Sequence, residues 1–118
     1  MSAAADHLRA AKALIDAPER WTKGAFARRA DGLMLMRGES WDQASCFCAE
    51  GAIRRSQNGV LPHVLDAFME RAIPKSFKFE AHARNFVMFN DHPDTTHADI
   101  MALFDRAISL ADREAGDA

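Results

Sequence analysis

The sequence has little cysteine and no long apolar run. No stretch approaches the roughly 18 consecutive apolar residues of a membrane-spanning helix, and the first residues lack the apolar segment of a signal peptide. The only cysteines are Cys46 and Cys48. On a helix their side chains would point about 200° apart, which argues against an internal disulfide and favours a reducing compartment. These absences predict a cytoplasmic protein without a membrane span.

A basic bias over the whole chain is also missing, since the formal net charge is −2. Lys and Arg outnumber Asp and Glu by eleven to seven from residue 20 to 84, and the acids lead by seven to two from 91 to 118. The basic pairs Arg28-Arg29 and Arg54-Arg55 are isolated, which argues against nucleic-acid binding. A phosphate-cradling glycine loop and a strong metal motif are both missing, so no cofactor is expected.

The composition that remains is typical of a globular chain, with 118 residues, 48 % hydrophobic and 27 % charged. This length corresponds to about one domain that can bury a core without metal or disulfide support. We therefore expect a single compact domain over residues 1–118. Its predicted class is mainly α (α+β), with four to five helices around a central helix that contains the cysteines, and one small β-hairpin.

Apolar spacing of three and four residues predicts helices over residues 3–17, 41–56, 62–72, 79–89 and 97–113. Pro18 is expected to end the first helix, and 57–59 the second. Ser40 followed by Gln43 is typical of a capping box that opens the second helix. Asp31-Gly32, between the apolar runs 21–28 and Leu33–Met36, indicates a hairpin because a tight turn tolerates positive φ at these residue types.

The predicted central helix carries one outer stripe that includes an aromatic side chain. Phe47 falls at helical spacing among Gln43, Glu50 and Arg54. Either another element covers Phe47, or it faces a partner. Together with the methionine-rich hairpin strand, the second alternative predicts a protein contact surface made of Phe47, Glu50, Arg54, Met34 and Met36.

A dense polar segment, residues 90–99, lies between two apolar runs and has two interpretations. In the first it begins the last helix, with Asn90 or Asp91 in an Asx-turn and Thr96 and Asp99 as caps. In the second it binds a divalent ion through the oxygen and nitrogen donors Asp91, His92, Asp94 and His97. We favour the first, because capping uses every residue type present. The isolated His7, His63 and His82 are expected at the surface.

An enzymatic alternative uses a cysteine nucleophile. Cys48 or Cys46, with His97 as base and Asn90 to orient it, has the residue types that acyl transfer requires. A reactive thiol is often placed at a helix N-terminus, whereas both cysteines are predicted inside a helix. A thiol there is more often a small buried hydrophobe.

Three blocks of the sequence resemble one family. They are 21–28 with Asp31-Gly32, then 46–53, then 89–91 with Pro93, Thr95, Thr96 and Asp99. They are similar to the Trp-Thr-x-Gly-Ala, Cys-Trp-Cys-x-x-Gly-Ala and Asn-Asp-x-Pro-x-x-Thr blocks of a domain of unknown function found in small bacterial and phage-borne proteins. Phe47 stands where that pattern usually has Trp. The resemblance implies association with phage or a mobile element and brings no assigned activity.

These observations favour a small non-enzymatic binding or regulatory module that acts through protein contacts. The alternative is a hydrolase or acyltransferase that depends on Cys48 or Cys46, His97 and Asn90. A protein partner or a homo-oligomer is expected, and neither nucleic acid nor membrane.

Overall fold

The computed structural model describes residues 2–56, 62–77 and 85–116. Five α-helices and a two-stranded antiparallel sheet occur in this part of the chain, which confirms the mainly α class with a small β component. In chain order they are α1 (Ala3–Leu14), β1 (Ala27–Arg29), β2 (Ala44–Phe47), α2 (Ala49–Arg55), α3 (Pro62–Ala72), α4 (Phe86–Asp91) and α5 (His97–Gly116). Short 3-10 helices, Pro18–Arg20 and Trp41–Gln43, precede the two strands.

Helix α1 packs against α5 and α2, so its apolar stripe is buried. The Ser2 side chain caps the helix by accepting from the Ala5 N–H at 3.0 Å. Pro18 acts as predicted on the residue before it, since Ala17 is extended, and α1 ends at Leu14 rather than at residue 17. On its outer face Lys12 pairs with an aspartate of α5 across 2.7 Å.

Helix α5 is the longest element and continues to Gly116, beyond the end predicted near Arg113. It buries one face against α1 and α3. An ion pair between Arg71 of α3 and Glu114 joins its last turns to α3. No helix in the described ranges has both the length and the apolar character needed to cross a bilayer. The buried residues of α5 are Ile100, Leu103, Phe104, Ala107 and Ala111.

The single helix predicted over residues 41–56 is wrong. The segment forms a 3-10 turn, then strand β2, then α2, and both cysteines lie before α2 rather than inside it. A short apolar run such as 44–49 fits a buried strand and a buried helix equally well. Long-range pairing decides between them, because β2 supplies the hydrogen-bond partners of β1. Ser40 accepts from the Asp42 N–H at 3.2 Å and so caps the 3-10 turn.

The predicted hairpin turn is present at Asp31-Gly32. Gly32 has φ +84° and its N–H donates to the Arg29 carbonyl at 2.9 Å. The following segment makes one antiparallel bridge, between Arg28 and Met34. The regular ladder of β1 runs instead with β2. Strand β1 therefore lies between β2 on one side and residues 33–36, which we call the hairpin arm, on the other.

Helix α3 has the predicted bounds and buries Leu65 and Met69 in the core. The structure places His63 at the surface but buries His7 completely, with Nε2 3.0 Å from the Ile53 carbonyl oxygen. The surface prediction for His7 is wrong because α1 is covered on two sides. The turn predicted at 57–59, His82 and the first part of the helix predicted from Phe79 lie outside the described residues.

Candidate functional site

Asn90, in the last turn of α4, joins the three sequence blocks. Its side chain is completely buried. Oδ1 accepts from the Trp21 indole Nε1–H at 2.7 Å and from the Ala49 N–H at 3.1 Å, and Nδ2 donates to the Thr22 carbonyl and to Asp91 Oδ1. An amide offers two donors and two acceptor positions, so Asn90 uses its full capacity. Asn90 therefore holds distant segments together instead of beginning the last helix.

Lys23 and Gly24, in the segment before β1, make further contacts with the end of α4 and the loop that follows it. Lys23 Nζ donates to the His92 carbonyl at 2.6 Å and lies 3.4 Å from that of Pro93. Asp91 Oδ1 accepts from the Gly24 N–H at 2.9 Å. We call this set of contacts around Asn90 the Asn90 junction.

The second block approaches the first at Gly51 of α2. A Cβ at Gly51 would lie 1.9 Å from the carbonyl oxygen of Phe26. The same oxygen accepts from the Cys48 N–H at 3.1 Å. The glycine of the Cys-Phe-Cys block is thus required by backbone contact, and this explains the residue without any ligand.

Thr96 and Asp99 form a reciprocal cap at the start of α5. The Thr96 N–H donates to Asp99 Oδ2 at 2.8 Å, and the Asp99 N–H donates to Thr96 Oγ1 at 3.2 Å. An acidic residue in the first turn also suits the positive end of the helix dipole. These two residues begin the helix, whereas Asn90 and Asp91 belong to the junction.

Cys48 is the N-cap residue of α2, and its Sγ accepts from the Gly51 N–H at 3.4 Å. Cys46 lies half-buried on β2, and both thiols are free. Burial raises the pKa of the Cys48 thiol to about 11. The thiol is therefore protonated at neutral pH, which is the opposite of the activation that a nucleophile needs.

His97, the base of the enzymatic alternative, contacts residues other than the cysteines. Its Nε2 lies 2.7 Å from the Ile15 carbonyl oxygen, and its ring centroid is 6.0 Å from that of Trp21. Asn90 does lie near Cys48, because it binds the adjacent Ala49 N–H. Among the described residues no hydrogen bond joins His97 to a thiol.

The four residues of the metal interpretation also have other contacts. His92 Nδ1 accepts from the Asp94 N–H at 3.1 Å, and the His92 ring packs edge-on against Phe77. Asp91 is committed to the Asn90 junction. Across residues 2–56, 62–77 and 85–116, no group of three His, Cys, Asp or Glu side chains could hold a metal ion.

Two residues of the predicted contact surface are buried and three are exposed. Phe47 is only 7 % exposed and packs near the Trp41 ring, and Glu50 is buried beside Arg54, whose Nε donates to Glu50 Oε1 at 3.0 Å. Phe47 is covered because it ends strand β2, where it pairs with Ala27 and lies beside Trp21 and Trp41. Of the predicted set, Arg54, Met34 and Met36 remain at the surface.

The exposed apolar side chains concentrate on the hairpin. Six large apolar side chains are exposed in the described part of the chain, and four lie between residues 26 and 36. We call these four the hairpin surface: Phe26, Leu33, Met34 and Met36. Phe26 and Leu33 were missing from the sequence prediction. Phe26 had a signal, since strand alternation places it opposite the buried Ala27.

Met34 lies at the edge of the sheet with unused backbone groups. The Arg29 N–H donates to the Leu33 carbonyl and the Leu35 N–H to the Ala27 carbonyl, both at 2.9 Å. The antiparallel pattern then turns the N–H and C=O of Met34 away from β1. Within the described residues neither group has a hydrogen-bond partner.

A shallow pocket of about 220 Å³ opens beside the hairpin surface. Its lining is mainly apolar and joins the hairpin to the N-cap residue of α2 and to α4. The lining residues are Gly24, Ala25, Phe26, Met34, Cys48, Val87 and Asp91.

A second feature missed from the sequence is a carboxylate cluster between α2 and α3, made of Glu50, Asp66 and Glu70. Burial, followed by the charge of Glu50, raises the pKa of Asp66 to about 6. Burial also raises the pKa of Glu70. Asp66 Oδ1 and Glu70 Oε2 are buried without a hydrogen-bond partner. The spacing of Asp66 and Glu70 was visible in the sequence, but the approach of Glu50 was not.

Comparison with known proteins places the chain in a family without assigning an activity. No curated protein and no solved structure matched it. A family model matched residues 1–110, which include all the residues of the Asn90 junction, and it is described as a family of unknown function, DUF6197. Since the match covers nearly the whole chain, the protein belongs to that family.

Proposed function

We propose that this protein is a small non-enzymatic binding module whose hairpin surface receives an extended segment of a partner protein. The partner segment adds a strand beside Met34 and places apolar side chains against the hairpin surface and the adjacent pocket. Backbone hydrogen bonds supply affinity in this mode of recognition, and alternate side chains supply specificity.

The observation that carries the proposal is the concentration of exposed apolar side chains on the hairpin. Leu33 and Met36 are 58 % and 59 % exposed, and Phe26 and Met34 are each 49 % exposed. Single exposed apolar residues are ordinary, but a group of them is typical of an interaction surface. Methionine suits such a surface because its flexible, polarizable side chain adapts to a partner.

The backbone of the hairpin arm supports the same proposal. An edge strand with unpaired N–H and C=O groups is a template for another strand, and proteins normally protect such edges. Met34 presents this pair of groups between exposed apolar side chains. The arm is short, so the partner adds few backbone bonds and its side chains supply much of the affinity.

The resemblance to phage-borne proteins indicates where the partner should be sought. A host or phage protein of the cytoplasm is the partner that this resemblance favours. An extended segment rich in apolar residues is the part of it that the hairpin surface would bind.

Photo-crosslinking at Met34 tests the proposal, with Met88 as the matched control. Met88 is also a methionine, is 42 % exposed and lies on α4, so it differs chiefly in location. Benzoylphenylalanine at either position is irradiated in the native host. We expect polypeptide adducts at position 34 in clear excess over position 88. The adduct partner is then identified by mass and purified for a binding titration.

The binding titration uses Met34→Pro to distinguish strand addition from non-specific hydrophobic binding. Proline removes an N–H that the folded protein does not use, and it is tolerated on edge strands. Loss of strand pairing should weaken binding by about tenfold or more, which is about 1.4 kcal/mol. Met34→Lys, which protects an edge by charge, is the second variant if Met34→Pro unfolds. Equal adduct yields at positions 34 and 88, or unchanged affinity of a folded edge variant, would overturn the proposal.

A further inference from the structure

The protein itself contains an extended apolar segment of the kind that the hairpin arm would bind, which is the same arm in a second copy. We infer that a second copy of this chain pairs its residues 33–35 antiparallel with the same residues of the first, around a two-fold axis at Met34. This inference rests on the proposed function, because it names the occupant of the same edge.

The backbone of Met34 has the arrangement that such a pair requires. Its N–H and C=O both point away from β1 and are unpaired within the described residues. In an antiparallel ladder, two residues that face each other can exchange both of their backbone bonds. Two copies of Met34 on a two-fold axis would therefore satisfy all four groups at once.

The side chains of the arm are complementary to themselves in this register. With the axis at Met34, Leu33 faces Leu35 of the second copy and Met36 faces Gly32. A two-fold interface must be self-complementary in this way. The exposed Leu33 would be covered. Backbone pairing is confined to Met34, because the N–H and carbonyl of Met36 are engaged with Glu39 and those of Gly32 with Arg29 and Arg28.

Charge complementarity at the ends of the arm supports the same register. Arg37 would face Asp31 of the second copy, and the reverse pair would form at the other end. Both residues are exposed. Arg37 has no ion-pair partner in the part of the chain described, whereas Asp31 already pairs with Arg29 and accepts from the Leu33 N–H, so Arg37 would be the second cation at this carboxylate. A parallel arrangement in register would place Arg37 beside Arg37 and lose these two pairs. A shift of the antiparallel register by one residue would lose them as well and would place Met34 opposite a residue other than itself.

Sedimentation velocity over a dilution series measures the association. An interface made of one short strand and a few apolar side chains is small, so we expect a dimer that dissociates on dilution within about 1 µM to 1 mM. Met34→Lys should abolish it, while Met88→Lys, the same change on α4, should leave it intact. Circular dichroism checks that both variants remain folded.

Cysteine crosslinking tests the register with a matched pair of variants. In a Cys46→Ser background, Met34→Cys places two Cα atoms about 5.5 Å apart across the axis, within disulfide range. Met36→Cys places the two Cα atoms about 14 Å apart. Each residue 36 faces residue 32 of the other copy, so the two cysteines lie four residues apart along the strands. With diamide as oxidant, which accepts the two electrons and two protons of the thiols, only Met34→Cys should give a covalent dimer rapidly.

The outcomes distinguish this inference from the proposed function. A dimer that crosslinks at 34 and not at 36 supports the inference. A monomer at every concentration, a dimer unaffected by Met34→Lys, or equal crosslinking at both positions overturns it. Photo-adducts at 34 with a different polypeptide would then leave the proposed function standing, and absence of any excess adduct at 34 would remove both.

Discussion

The Asn90 junction and the carboxylate cluster are both partly buried polar groups, yet they differ in how completely their polar atoms are paired. Asn90 makes four hydrogen bonds to four residues from three segments. The cluster brings Glu50, Asp66 and Glu70 together beside Arg54, which pairs with Glu50, and leaves two buried oxygens unpaired among the described residues. A satisfied network specifies one arrangement of its segments, whereas an unsatisfied one lowers stability.

The difference follows from the chemistry of the groups. A neutral amide donates and accepts in equal number, so one side chain can join backbone and indole groups without burying a charge. Carboxylates only accept when ionised, and their burial is unfavourable unless a proton or a cation compensates. We therefore expect the bonds of Asn90 to Trp21, Thr22 and Ala49 to be independent of pH, and the cluster to favour the fold only when protonated.

The largest effect is expected from breaking the junction with Asn90→Ala. The Trp21 indole N–H, the Ala49 N–H and the Thr22 carbonyl would each lose a partner. Unfolding free energy should fall by about 3 to 5 kcal/mol, because each unpaired buried group is costly. Urea denaturation measures the change.

Asn85→Ala is the control for that substitution. Asn85 is exposed and caps the same helix through the Met88 N–H at 2.8 Å, so its loss should cost only about 1 kcal/mol. Equal effects of the two substitutions would show that Asn90 acts only locally within α4.

A slightly smaller effect is expected from Gly51→Ala, which tests the backbone contact beside the junction. The new Cβ would meet the Phe26 carbonyl oxygen at 1.9 Å, so α2 or the segment before β1 must move. We expect a loss of about 2 to 3 kcal/mol, although alanine is the better helix former.

Gly116→Ala gives the reference value, since a Cβ there meets nothing within 4 Å. It should be neutral or slightly stabilising, and thermal unfolding of the two variants would separate them. If Gly51→Ala left the free energy of unfolding unchanged, α2 and the segment before β1 would be able to move apart at little cost.

Asp66→Asn tests the carboxylate cluster, and we expect it to increase stability by an amount that depends on pH. Burial and the charge of Glu50 raise the Asp66 pKa from 3.8 to about 6, so the folded state binds this proton more tightly than the unfolded state. The stabilisation is present below about pH 4 and is lost as pH rises through 6. The full shift corresponds to about 3 kcal/mol, and solvent screening of a half-buried group reduces this to about 1 to 2 kcal/mol.

Asp66→Asn should therefore be more stable than the wild type at pH 8 and about as stable at pH 4. Urea denaturation at both pH values measures the difference. The neutral amide can still donate to Glu50, as a protonated Asp66 would. Asp16→Asn, which removes an exposed carboxylate 3.7 Å from Arg20, should change little at either pH. A loss of stability at pH 8 for Asp66→Asn would show that the charge of Asp66 is needed.

The sequence predicted those features of the fold and site that depend on local spacing. The bounds of α3, the hairpin turn at Gly32 and the cap formed by Thr96 and Asp99 all follow from periodicity, turn or capping chemistry within a few residues. The division of residues 41–56 did not, because β2 is decided by its pairing with β1 about seventeen residues away. The four hydrogen bonds of Asn90 and the approach of Glu50 to Asp66 likewise depend on tertiary contacts, which a single sequence does not reveal.

The smallest effect is expected from Cys48→Ser, at the boundary between the junction and the pocket. Cys48 caps α2 by accepting from the Gly51 N–H, and serine is a better N-cap acceptor, which offsets the burial of a more polar atom. We expect a change of less than about 1 kcal/mol, while Cys48→Ala, which removes the acceptor, should cost about 1 kcal/mol. Urea denaturation distinguishes the pair. If serine were instead as harmful as Asn90→Ala, the thiol would have a structural role in the junction that capping does not explain.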